Sequence, residues 1–341
     1  MNNPTPTAAK PAASLSILIP TYNRPVDLVR TLHALIPQCM SSGCRIHIID
    51  NASPIPVEEI VNANFGDHLE MIAIVRNAVN IGGNANICRC FEFCDTEWMW
   101  LLGDDDLPEG NALEIIRNAI SAAPASCCML NFASNISEEQ STDSINNFEE
   151  LSGNIRQGFY FRNLLFISTS VYRMEPLRGH IAHAYHFAYS CAPQLILPFL
   201  ALCKGFSIHN RRDHVVKWKD PAAEEAWNPR YLVLGLITIS DHPDLRPMTM
   251  NVTRPIMKSM IGSIYPYVKF SIKNLITCPE NELQFWSSAY LRIASNLSIM
   301  DKAGLLFLSQ MACVFRLMKP CRNLMKKALK LNSTIDNLAR T

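Results

Sequence analysis

Short apolar runs alternate with segments of helical periodicity over the first 135 residues. Leu15-Ser16-Ile17-Leu18-Ile19 reads as a strand ended by Pro20. A helix is predicted over 26–35, where apolar residues fall at 28, 29, 32 and 35, the spacing of one helical face. A second strand follows at 45–49, a short helix near 57–63 and a third strand at 71–75. A helix over 84–94 leads to the most apolar strand, 97–102. A helix over 110–122 and a fifth strand at 127–132 complete the series. Strict β-α alternation predicts an α/β domain with a mostly parallel central sheet and helices on both faces.

Beyond residue 135 the pattern loosens. Residues 135–154 are polar and acidic and read as a surface loop, and 164–172 read as a strand. From 181 to 203 there is no Asp, Glu, Lys or Arg. His183, His186, Gln194, Pro193 and Pro198 interrupt that run, so it reads as buried core rather than a membrane span. After residue 241 the periodicity becomes helical: Leu283, Trp286, Tyr290, Ile293 and Leu297 form one stripe, and 305–318 is a further apolar helix. The organisation predicted is a polar lead at 1–13, a catalytic domain at 14–240 with halves at 14–135 and 136–240, and a helical C-terminal region at 241–341.

Composition narrows the class. The 341 residues are 48% hydrophobic and 18% charged, with a formal net charge of +1. That charge argues against a nucleic-acid partner. The charge is uneven, since residues 302–341 hold eight Lys or Arg and one acid, Asp336. A basic apolar helix of this kind either lies against an anionic membrane surface or packs on the domain with its lysines in water. The 12 cysteines show no CxxC pair, which fits reduced thiols in a cytoplasmic protein. The polar, Pro/Ala-rich start has no apolar segment of the kind a signal peptide needs.

The chemistry sits at the strand ends. Strand one ends in Pro20-Thr21-Tyr22-Asn23-Arg24, strand two in Asp50-Asn51-Ala52-Ser53, and strand four in Asp104-Asp105-Asp106. Strand three is followed by Arg76-Asn77 and Asn80-Ile81-Gly82-Gly83-Asn84. In a parallel sheet these four ends share one rim, the edge where open α/β sheets bind ligands. Clustered carboxylates past a buried strand suit a hard divalent cation held together with substrate phosphates. The GxGxxG turn and the P-loop are both missing, and Pro108 and Glu109 break an EF-hand reading from Asp104. A rim with donors, a lone carboxylate and an acidic triad suits a nucleoside diphosphate.

Ile19-Pro-Thr-Tyr-Asn-Arg24, Ile49-Asp-Asn-Ala-Ser53, Asn80-Ile-Gly-Gly-Asn84 and Leu102-Gly-Asp-Asp-Asp106, in this order and spacing, resemble family 2 glycosyltransferases. The resemblance implies the GT-A nucleotide-sugar-binding fold. It also implies transfer of a sugar from a nucleotide-sugar donor to a glycan or lipid-linked glycan, as in surface polysaccharide or lipopolysaccharide synthesis. Thr21, Asn23 and Arg24 would line the nucleotide pocket. Asp50 would accept from the base, or simply form a turn before Asn51. Asn80 and Gly83 would lie near the donor. Asp104 and Asp106 resemble the DXD motif and would bind Mg²⁺ or Mn²⁺, the sugar ring or both, with Asp105 between them and Asp104 and Asp105 at the nucleotide-sugar. The resemblance also implies an acidic base in the acceptor region. Between 167 and 203 the only acid is Glu175; His186 is a second candidate, and Asp213, His214, Glu224 and Glu225 are further ones. The competing readings are a nucleotidyltransferase, which lacks its glycine-rich phosphate loop here, and a glycan-binding scaffold that kept the fold.

Overall fold

The computed structural model describes residues 14–135, 143–157, 160–190, 192–217, 239, 242–245, 273–274 and 276–277. The chain divides into two units, Met1–Met260 and Ile261–Thr341, and the description below concerns the first. The helices predicted at 283–297 and 305–318, and the basic residues 302–341, lie outside the described residues.

In chain order the elements are β1 (Leu15–Thr21), α1 (Pro25–Ser42), β2 (Arg45–Asp50), α2 (Val57–Phe65), β3 (Ile72–Arg76), α3 (Gly83–Phe93) and β4 (Trp98–Leu101). They continue with β5 (Leu107–Pro108), α4 (Ala112–Ala122), β6 (Cys127–Ala133), β7 (Ser144–Ile145), α5 (Phe148–Gln157) and α6 (Tyr160–Leu165). The last are β8 (Ser170–Arg173), α7 (Glu175–Arg178), α8 (Ile181–His186), α9 (Ile196–Cys203), β9 (Ser207–His214) and β10 (Val216–Lys217). Eight strands form one sheet in the order β3-β2-β1-β4-β8-β6-β9-β7. β1 pairs in parallel with both β2 and β4, β2 with β3, and β6 with β9. β8 runs antiparallel to β4 and β6, and β7 antiparallel to β9. The predicted α/β class and mostly parallel sheet are therefore found.

The sheet is buried on both faces, which is why its central strands read as unbroken apolar runs. Successive side chains point to opposite faces. Leu18, Met99 and Leu101 face a core shared with α3, α5, α8 and α9. Ile17, Ile19, Trp98 and Trp100 face a second core shared with α1, α2 and α4. β3 is the edge, and its alternation of buried and exposed residues is correspondingly weak.

Three sequence expectations change. The helix expected to stop at residue 35 continues to Ser42 through Pro37, because Ile36 and Cys39 bury on the face already set by Leu28, Leu32 and Leu35. It ends where Gly43 turns left-handed at φ 68° and donates its N–H to Cys39 O at 2.8 Å. The loop expected at 135–154 instead contains β7 and α5. Asn147 caps α5 by accepting the Glu150 N–H at 2.9 Å, and its amide returns a bond to Glu150 Oε1 at 3.0 Å. This Asn-x-x-Glu pattern is a capping box that the sequence displays. The strand expected at 164–172 is shorter and begins at Ser170. Thr169 turns its hydroxyl onto Asn163 O and Phe166 O, at 2.9 and 2.7 Å, and holds the preceding residues helical.

Candidate active site

The strand order decides where a ligand goes. From β1 the chain steps outward to β2 and β3, then returns to place β4 on the other side of β1. The crevice at the carboxyl ends of β1 and β4 is the switch point at which open sheets bind ligands. Thr21 ends β1, and Asp104, Asp105 and Asp106 follow β4, so both motifs reach this crevice.

The acidic triad is built with little freedom. Asp104 and Asp106 are 7% and 5% exposed. Thr21 Oγ1 donates to Asp104 Oδ2 at 2.6 Å, and Ser168 Oγ donates to Asp106 Oδ2. Thr31, buried on α1, sets its hydroxyl 3.0 Å from both the Asp104 and the Asp106 carbonyls. Gly103 leaves the space that this fold of the chain needs, since a Cβ there would lie 2.5 Å from Asp106 Oδ2. Asp105 turns outward. Its carboxylate pairs with Arg24, which also stands 3.6 Å from Asp104 Oδ1, and its carbonyl accepts from Arg30 at 2.7 Å.

The electrostatics follow from this burial. Desolvation pushes both Asp104 and Asp106 up to about 7, with Asp105 adding repulsion and the Thr21 and Ser168 hydroxyls opposing the shift. Two carboxylates held apart from water at this cost suit a cation. A hard divalent ion accepts one or two carboxylates when phosphate oxygens complete its shell. The residues present therefore fit Mg²⁺ or Mn²⁺ in company with a diphosphate. No group of three or more His, Cys, Asp or Glu side chains forms a complete cage among the described residues.

The remaining motifs line the same rim. Asn23 takes a positive φ of 54° and donates its backbone N–H to Ser53 Oγ at 3.0 Å, tying the β1 end to the β2 end. Asp50 is fully buried. Its Oδ1 accepts the Ser53 N–H at 2.9 Å, and its Oδ2 accepts from Arg76. The turn role is thus realised, and the group presented outward is the half-exposed Arg76 guanidinium, whose Nη2 also donates to Ser53 O at 2.8 Å. Asn80 Oδ1 accepts from Asn51 and from Gly82 N, at 2.8 and 2.9 Å. Asn77 and Asn86 extend this amide ladder to Ile49 O. Gly83 opens α3 behind Gly82, whose φ is 86°.

The two base candidates are not brought to the rim. β8 is antiparallel to β4 and pairs Arg173 with Trp98, the first residue of β4. Glu175 therefore emerges at the opposite edge of the sheet from Asp104. His186 lies on α8, where Tyr185 bonds Glu92 in the last turn of α3. That turn is roughly 14 Å along the axis from Gly83 and the rim. Arg211, Arg212 and Asp213 line a cavity of about 370 Å³ with Ala119, Ala123 and Asp143, among none of the four motifs. Sequence reasoning missed Thr31, Ser168 and the Arg76–Asp50 pair, whose partners are far away along the chain.

A family model described as Glycosyl transferase family 2 matches residues 16–190, just over half of the chain. The chain belongs to this family. Among curated relatives of this family 2 chain, abequosyltransferase RfbV of Salmonella typhimurium is 28% identical over 109 residues. That alignment covers 32% of this chain and 33% of the relative, so the chain spans about a third of the curated protein it matches. Among solved structures, mannosyltransferase PcManGT from Pyrobaculum calidifontis, in complex with GDP-Man and Mn²⁺, aligns at a TM-score of 0.51 and 14% identity. The alignment covers 98% of this chain and 90% of that one. S. aureus TarS 1-349 in complex with UDP aligns at 0.55 and 11% identity over 91% of each chain. At these identities the likeness establishes the fold, which is the GT-A fold expected from the motifs.

Proposed function

We propose that this family 2 chain transfers a sugar from a nucleotide-sugar donor to a glycan or lipid-linked glycan in the synthesis of a surface polysaccharide or lipopolysaccharide. One observation carries the reading: two nearly buried carboxylates, Asp104 and Asp106, stand at the β1/β4 switch point, each with one oxygen fixed by a hydroxyl. The name of the abequosyltransferase relative supports the glycan class of acceptor. The donor and Mn²⁺ named in the mannosyltransferase complex support the ligand set.

The chain's residues divide the work by position. Arg76, braced by Asp50, offers its free N–H groups to the base, with Tyr22 exposed beside the same rim. Asn80 and Gly83 border the donor on the β3 side. Arg24 bridges Asp105 and Asp104 and is placed to share the charge of a diphosphate. Asp104 and Asp106 would hold Mg²⁺ or Mn²⁺, which when bound supplies positive charge against the departing diphosphate. The acceptor hydroxyl attacks the anomeric carbon from the face opposite the leaving group, giving inversion. The hydroxyl's proton leaves as the bond from the anomeric carbon to the diphosphate breaks, and neither Glu175 nor His186 stands at the rim to take it. Arrangement of fixed charge around the leaving group is the main source of rate in this scheme.

The remote placement of Glu175 and His186 favours one alternative, a donor- or glycan-binding protein without turnover. Thermal-shift screening with UDP-, GDP-, dTDP- and CDP-sugars, with and without Mn²⁺, tests the shared premise. One base series is expected to raise the melting temperature in a Mn²⁺-dependent way. No shift with any series would remove the transferase and the donor-binding readings.

A further inference from the structure

Each buried carboxylate of the triad has one oxygen claimed by a hydroxyl from elsewhere in the fold. For Asp104 that hydroxyl is Thr21, at the end of β1. For Asp106 it is Ser168, which arrives from the segment between α6 and β8. Ser168 is fully buried, and every polar atom described for it is engaged. Its Oγ accepts the Gly103 N–H at 2.8 Å while donating to Asp106 Oδ2. Its carbonyl accepts from Trp100 Nε1 at 2.9 Å, which pins the residue to β4 itself. A Cβ at Gly103 would lie 2.5 Å from Asp106 Oδ2, so the chain beside this oxygen has room only for glycine.

We propose that Ser168 is a positioning residue for the cation: it ties up Asp106 Oδ2 so that Asp106 presents Oδ1 alone, in one fixed orientation, to a divalent ion. The inference rests on the reading of Asp104 and Asp106 as the cation site. Its physical basis is that a ligating carboxylate is oriented by the hydrogen bonds its other oxygen makes, and that losing such a partner lowers metal affinity by roughly 10–100-fold. The hydroxyl is itself oriented. The Gly103 N–H donates to the oxygen, and the hydroxyl proton is directed to Asp106 Oδ2. Ser168 lies 62 residues from Asp106 along the chain, outside any local motif.

The test is Mn²⁺ binding to the full chain in the presence of the nucleoside diphosphate selected by thermal shift, followed by electron paramagnetic resonance. Wild type, Ser168→Ala, Ser168→Thr and Asp106→Ala are compared, with circular dichroism as the check on folding. Ser168→Ala is expected to weaken Mn²⁺ at least tenfold with an unchanged spectrum, and Ser168→Thr, which keeps the hydroxyl, to recover most of that affinity. In turnover, the Ser168→Ala defect is expected to appear in the Mn²⁺ requirement and to be relieved by raising Mn²⁺, leaving kcat near wild type. A structural defect would lower kcat at every Mn²⁺ concentration. If Ser168→Ala binds Mn²⁺ like wild type while Asp106→Ala does not, the positioning role is overturned and the cation site stands. If Asp106→Ala also binds like wild type, the cation-site reading itself falls.

Discussion

Gly103 has no room for even a methyl group. An added Cβ would meet Asp106 Oδ2 at 2.5 Å and Asp105 Oδ1 at 3.3 Å. For this oxygen to yield, its hydrogen bond from Ser168 must break or shift. Gly103→Ala is therefore expected to displace the Asp106 carboxylate and to weaken Mn²⁺ binding at least tenfold. Overpacking of this kind costs about 1–3 kcal/mol, so the fold should survive. Metal titration of the purified variant checks this, and wild-type affinity would mean the cradle is looser than described. At this scale the sequence announced the acidic triad and the Gly before it, but not what holds them. Thr21 is 83 residues from Asp104, and Thr31 is 73. A hydroxyl that becomes a partner only through folding leaves no local pattern. Asp50 shows the same limit. Its place at the end of β2 was legible, but its full burial against Arg76 was not.

Elements were legible where burial alone determines them. β1 to β4 fall within a residue or two of the apolar runs, because a strand covered on both faces needs little else. The orientation of β8 was not legible. The family resemblance makes Glu175 and His186 base candidates by their place after the acidic triad, in the segment into which β8 leads. Running antiparallel, it delivers them to the opposite edge, and nothing in the short run of Ser170–Arg173 reveals its direction. The same edge carries a testable contact. Asp244 N–H donates to His242 Nδ1 at 3.3 Å, so Nε2 bears the proton that reaches His183 Nδ1 at 3.0 Å. Burial, then His183, lowers His242 from 6.5, with Asp244 opposing and His186 adding to the shift. His180, beside it, is lowered by burial, then by Lys204. At His242 the unfolded chain thus binds more protons than the native one just below 6.5. Stability from this contact is complete above that value and declines as pH falls through the folded pKa. Asp104 and Asp106, raised to about 7, act in the opposite sense, so the share of His242 is read as the difference between wild type and variant in the slope of melting temperature between about pH 7 and pH 5. His242→Asn is expected to flatten that slope, and an unchanged slope would place the titration elsewhere.

Among the described residues of the first unit, two cores hold one sheet, and the sheet brings four polar strand ends to one rim. The low net charge leaves the field at that crevice to local groups, with Arg24, Arg30 and Arg76 set against Asp104, Asp105 and Asp106. No helix among the described residues is long and apolar enough to cross a membrane. The basic residues 302–341 are the segment to truncate in a liposome-binding comparison.

The most direct test of the account is Mn²⁺-dependent release of nucleoside diphosphate from the donor series selected by thermal shift, by wild type and by Asp106→Ala folded to the same circular dichroism spectrum. Release by wild type that requires Mn²⁺ and is abolished in Asp106→Ala is the result expected. Equal release by the two proteins would contradict the assignment of Asp106, and no release by wild type with any donor would contradict turnover at this site.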